Sequence, residues 1–183
     1  MKSKLIGNVL LAAVLAAGAA MAKTNPQALT GDAAIAQKAA HEVRSYAYYS
    51  LWDDVRIQVN EGTVRLTGEV TQPWKKDTLG KLIGKINGVS AVDNELKVAP
   101  LSAFDDSIRL QVARAIFRDP AMSVYGIQPV PPIHILVDNG HVTLEGVVRT
   151  PMEKEIAGIR ANSAMSFGMV TNNLRVEQPA KQN

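Results

Sequence analysis

The sequence predicts an α+β protein of two tandem α-β-β-α-β modules, each a small three-stranded sheet with two helices packed on it. Three observations predict this. The stretch from Val55 to Val70 returns as Ile133 to Val148, 78 residues on and without a gap. Within each copy, apolar residues alternate at a period of two, the mark of half-buried strands. On either side of each hairpin, apolar residues recur at helical spacing.

The elements follow in order. In the first copy Asp32 is placed to cap a helix whose stripe is Ile35, Ala39, Val43 and Ala47. Val55, Ile57 and Val59 then alternate with polar residues, Asn60-Glu61-Gly62 supplies a turn, and Val64, Leu66, Gly68 and Val70 return. Pro73 suits the first turn of a helix, where a missing N–H costs nothing, and Leu79, Leu82, Ile83 and Ile86 give that helix its core side. Gly88 stops it, and Val92, Leu96 and Val98 form a last strand. The second copy repeats the order. Ser102 and Asp105 have capping-box spacing ahead of Ile108, Val112 and Ile116. The 78-residue offset pairs Pro73 with Pro151, Gly80 with Gly158 and Asn94 with Asn172. The modules are expected at 30–99 and 104–177, joined too tightly by Ala99-Pro-Leu-Ser-Ala103 to hang apart.

The N-terminus carries a different grammar. Lys2 and Lys4 precede an apolar run from Leu5 to Ala17, and Ala20-Met21-Ala22 has the small-residue pattern of a cleavage site. Residues 1–22 are therefore expected to be a secretory signal peptide, with the working chain beginning near Lys23. No cysteine occurs among the 183 residues, which excludes disulfides, cysteine metal sites and a lipid-modified cysteine anchor. The expected compartment is the periplasm, without a lipid anchor. Losing Lys2 and Lys4 from 20 basic residues leaves 18 against 17 acidic ones, a net charge of +1. Attraction to anions must then be local, not global.

The hairpin pattern V-x-I-x-V-x-x-G-x-V-x-L-x-G-x-V, followed by a helix and G-V-x-x-V-x-N-x-L, resembles the BON domain. Gly88-Val89, Val92, Asn94 and Leu96 fit the closing motif. In the second copy Phe167-Gly168-Met169 replaces the Gly-Val pair, while Val170, Asn172 and Leu174 keep the rest. The resemblance spans essentially the whole chain after the leader and extends to the dual-BON envelope proteins of Gram-negative bacteria. It implies phospholipid binding, envelope integrity under osmotic stress and, for some members, chaperone-like activity.

Catalytic chemistry finds no support in the residues. Of the three histidines, His41, His134 and His141, neither His134 nor His141 has a partner at a ligand spacing, and both are expected to be solvated surface groups. The pairs Asp53-Asp54 and Asp105-Asp106 sit where caps or turns are expected. No nucleophile elbow, phosphate loop or dinucleotide fingerprint occurs. The outward strand residues Arg56, Gln58, Arg65 and Thr67 lack the stacking aromatics of single-strand nucleic-acid binders. The chain is expected to be no enzyme and to take no cofactor, metal, nucleic acid or small-molecule substrate.

Candidate binding surfaces are four. On a helical wheel Trp74, Lys81 and Lys85 fall opposite the core side, which combines an interfacial ring with cations for anionic lipids. Trp74 alternatively folds over the module's edge as a helix-start staple. In the second copy the same register puts Ala157, Arg160, Ala161 and Ala164 inward and Met152, Ile156 and Ile159 outward. That apolar face reads as a domain contact, as a surface for lipid or client protein, or as a helix rotated slightly inward. Trp52 closes a tyrosine-rich run after the first helix. The corresponding loop of the second copy is long and carries Met122, Tyr125 and Ile127, for function or for packing. The expected partners are the phospholipid membrane surface, bound weakly and peripherally, or envelope proteins, with unfolded or outer-membrane clients as the chaperone alternative.

Overall fold

The computed structural model describes residues 31–165 and 169–177. The expected leader at 1–22 lies outside them, as do Phe167 and Gly168 of the second closing motif. Module one runs α1 (Asp32–Ser45), β1 (Asp54–Asn60), β2 (Thr63–Val70), α2 (Pro73–Gly84), β3 (Ala91–Asn94) and β4 (Lys97–Val98). Module two runs α3 (Ala103–Phe117), a short α4 (Ser123–Gly126), β5 (Ile133–Asp138), β6 (His141–Val148), α5 (Pro151–Ser163), β7 (Val170–Asn172) and β8 (Arg175–Val176). The two modules thus share one α-β-β-α-β order, each with a small mixed sheet and two longer helices.

Each hairpin closes on two residues of positive φ, Glu61 and Gly62 in one and Asn139 and Gly140 in the other. That pairing is a type I′ turn, whose twist matches the strands it joins. The preceding helix holds the turn. Asp32 accepts the N–H groups of Glu61 at 2.8 Å and Gly62 at 2.9 Å. Asp105 does the same for Asn139 at 3.2 Å and Gly140 at 2.8 Å. Asp32 is therefore no cap for its own helix; Gly31 stands at that position. Ser102 does cap α3, taking the Asp105 N–H at 3.1 Å, but the Asp105 carboxylate is committed to the turn.

The third strand of each sheet falls into two short pieces, both parallel to the central strand: β3 and β4 on β2, β7 and β8 on β6. The break lets Leu96 and Leu174 turn into the cores. Asn94 spans the gap, donating Nδ2 to the Lys76 carbonyl at 2.8 Å and accepting the Leu96 N–H at 3.3 Å. Asn172 repeats both bonds with Lys154 and Leu174. Gly80 makes room, because a Cβ there would sit 2.7 Å from the Asn94 amide. The asparagine and the helix glycine of the repeat thus serve one joint.

Core one gathers Ile35, Ala39, Val43, Val64, Leu66, Val70, Leu79, Ile83 and Leu96. Ala47 lies past the end of α1 and is exposed. Core two is built from the equivalent positions plus Met122, Tyr125 and the whole inner side of β5, Ile133, Ile135 and Val137, whose counterparts Val55, Ile57 and Val59 are only partly buried; Leu51 and Trp52 of module one pack against it. The modules also share a backbone bond, Ile135 N–H to the Leu51 carbonyl at 2.8 Å. Between them runs a polar cleft bounded by Arg56, Thr67 and Glu69 on one sheet and Leu136, Thr143 and Glu145 on the other. The outer faces of the two sheets therefore look toward each other.

Candidate functional site

Trp74 is the second residue of α2, and Pro73 before it fixes the helix start. Its indole is 44% exposed and meets the Tyr48 ring edge-on, centroids 5.0 Å apart. Tyr48 in turn meets Tyr46 at 5.8 Å. The ring is thus braced by an exposed neighbour and not folded into the core. Lys81 and Lys85 are exposed on the same face, two and three turns on.

Across from this face stands α1. The two helices leave a groove of about 600 Å³ lined by Lys38, His41, Glu42, Arg44, Leu82, Lys85 and Ile86, among others. Leu82 and Ile86, expected inside, are only half-buried and help form its wall. Lys38 and Arg44 were not legible as site residues, because they belong to a helix whose pattern announced only its buried stripe.

Module two treats the same positions differently. Met152 and Ile159 are 70% and 61% exposed, whereas Ile156 is half-buried against core two. Module one does not cover this face, so the domain contact expected there lies elsewhere. Arg160 is no core residue: its guanidinium points outward and donates to Asp119 at 2.8 Å. That hydrogen bond holds the Asp119 carboxyl below its ordinary range. A guanidinium in the apolar interior would lack the partners it finds at the rim.

For the long loop, packing is what the structure displays at two of the three residues. Met122 and Tyr125 are buried in core two, and only Ile127, 82% exposed, is open to a partner. The Tyr125 hydroxyl donates to Glu153 at 2.9 Å and accepts the Arg149 N–H at 3.0 Å. Burial works to raise the Glu153 pKa, but bonds from Arg149, Tyr125 and Thr150 outweigh it and hold the group below its ordinary value. Trp52 is half-buried against core two and seals the junction between the modules.

The same junction corrects the reading of His134. It does point away from Ile133 and Ile135, but that outer face meets module one and not solvent, leaving it 9% exposed. Its ring lies 5.5 Å from the Tyr49 ring. Burial lowers its pKa, opposed by the nearby Asp54 carboxylate. Burial also raises Asp54 and pushes Tyr49 well above the usual phenol range. Asp53 was read as a turn residue; it does hold the turn, and it also meets Lys75 in a buried ion pair at 2.7 Å. The signal for Lys75 was its spacing, since Lys75, Leu79 and Ile83 are four residues apart along one stripe. Among the described residues no group of three or more His, Cys, Asp or Glu side chains is suited to hold a metal ion. No helix among them is long and apolar enough to cross a membrane.

The class of protein is thus a tandem pair of small α+β modules, one of which displays an aromatic and cationic helix face. The family model of the BON domain matches residues 31–100 and again 104–178, and the chain belongs to the BON-domain family. That family associates with lipid and membrane surfaces and is non-catalytic. Similar solved chains include two of CdsD, a structural protein of the type III secretion system of Chlamydia trachomatis. The first, a C-terminal domain, has 15% identity and a TM-score of 0.29, covering 75% of this chain and 63% of that one. The second has 10% identity and a TM-score of 0.26, covering 77% and 94%. This chain therefore spans less than two thirds of the first of those chains. No curated protein matches it.

Proposed function

We propose that this is a non-catalytic periplasmic protein of envelope maintenance, acting in osmotic or envelope stress, whose modules bind the phospholipid surface. One observation carries the reading: the exposed Trp74–Tyr48 pair shares a helix face with Lys81 and Lys85. Indole and phenol rings favour headgroup depth, and each lysine near an anionic surface contributes about 1 kcal/mol. Two lysines and a pair of rings give weak, reversible attachment. The leader expected at 1–22 and the lack of cysteine support the periplasmic address.

Vesicle co-sedimentation of the chain from Lys23 onward tests it, with anionic and neutral lipids at low and high salt. Binding to anionic vesicles should fade with salt, as screening requires, and drop in a Trp74→Ala, Lys81→Ala, Lys85→Ala variant. Absence of binding in every condition sinks the proposal. A second reading, chaperone-like capture of unfolded or outer-membrane client proteins, rests on the exposed Met152 and Ile159. Apolar capture is insensitive to salt screening, and suppression of client aggregation at high salt would favour it.

A further inference from the structure

We propose that the groove between α1 and α2 is a discrete site for one anionic phospholipid molecule. Its phosphate lies among Lys38, Arg44 and Lys85, and its glycerol and upper acyl carbons lie against Leu82 and Ile86. This rests on module one being the lipid-facing module, but asks more: recognition of a single lipid and not only adhesion to a surface.

The chemistry of the walls is two-sided. Three cations face one carboxylate, Glu42, among the lining residues, so the site favours an anion. Among the described residues none of Lys38, Arg44 and Lys85 makes an ion pair. The apolar side chains beside them exclude a small, fully hydrated anion as the natural occupant, since their half-exposed surface gains only from an apolar group. An amphiphile with an anionic head satisfies both walls. The volume, about 600 Å³, suits a headgroup and glycerol and falls in the ordinary range of small-molecule sites.

The repeat supplies the internal comparison. At the 78-residue offset Leu82 corresponds to Arg160, Ile86 to Ala164 and Lys85 to Ser163. On the first helices, Asp32 and Asp105 hold equivalent turns, and that alignment sets Lys38 against Gln111 and Arg44 against Phe117. Module two thus replaces all three rim cations by neutral side chains, one of which, Phe117, packs against its core. Where module one has Leu82, module two has a guanidinium tied to its own Asp119. The same fold, given other residues, carries no such two-sided wall. Lys85 also belongs to the face bearing Trp74, so the groove opens beside the surface proposed to meet the bilayer.

The test is titration with dihexanoyl phosphatidylglycerol below its micelle concentration, followed by NMR shifts and calorimetry, beside dihexanoyl phosphatidylcholine and glycerol phosphate. Saturable one-to-one binding is expected for the anionic lipid. It should weaken roughly tenfold or more in Lys38→Ala/Arg44→Ala, whose side chains are exposed, and also in Leu82→Gln. Equal binding of glycerol phosphate, or of the choline lipid, overturns the assignment. Vesicle binding without monomer binding removes the groove and leaves the surface reading standing. Monomer binding without vesicle binding does the reverse.

Discussion

The Asp53 carboxylate has no exposed surface and accepts five hydrogen bonds, from Ser50 and Thr71 through both backbone and hydroxyl and from Lys75. A buried ion pair of this kind adds little over an apolar pair of equal size, yet removing one partner strands a charge. Lys75→Met alone should therefore cost about 3–5 kcal/mol. Asp53→Leu with Lys75→Met should cost less than the sum of the singles, although Ser50 and Thr71 then lose an acceptor. Urea unfolding of the three variants gives the coupling energy; strict additivity would show that the pair is not energetically joined. The sequence displayed both residues but not their meeting. Asp53 stood in a turn pattern, and the helix stripe through Lys75 was interrupted by its charge.

At the scale of elements, most of the fold was legible. Turn glycines, alternating strands and proline-led helices are local, and each module's order follows from them. Three features were not. The broken third strand depends on Asn94 reaching a helix carbonyl, and α4 on Tyr125 finding Glu153, both contacts between distant residues. The outer sheet faces looked solvated because alternation marks which side is apolar, not what covers the other. His134 shows the consequence. Burial lowers its pKa from the ordinary 6.5, so the folded protein keeps it neutral while the unfolded chain takes up a proton. Stability should then fall as pH drops below 6.5, down to the lowered value. Asp54 acts with the opposite sign, because a raised carboxyl pKa makes the folded state the better proton acceptor. Comparing melting temperature with pH in the parent and in His134→Gln isolates the imidazole. Below pH 6.5 the variant's profile should be flatter; identical profiles would dismiss the effect.

In the whole molecule, Leu51 and Trp52 lend module one's side chains to module two's core, and Ile135 bonds back to Leu51. Trp52→Ala should lower the protection of module-two amides such as Val112 and Ile116, by about 2 kcal/mol for a half-buried ring. Hydrogen exchange reads this directly, and unchanged protection in module two would mean that the modules fold independently. Neighbouring repeats carry a hazard of their own, since a helix that docks on the wrong copy traps the chain. At equivalent places α2 carries Lys75 and α5 carries Glu153. Were α5 to settle on the sheet of module one, Glu153 would confront Asp53, a carboxylate already surrounded by its own donors. Were α2 to settle on module two, Lys75 would stand in place of Glu153 beside the like-charged Arg149. Each module thus sets beside its own helix a charge that attracts it and would repel its twin, a local mark of identity where the two copies are otherwise alike in order.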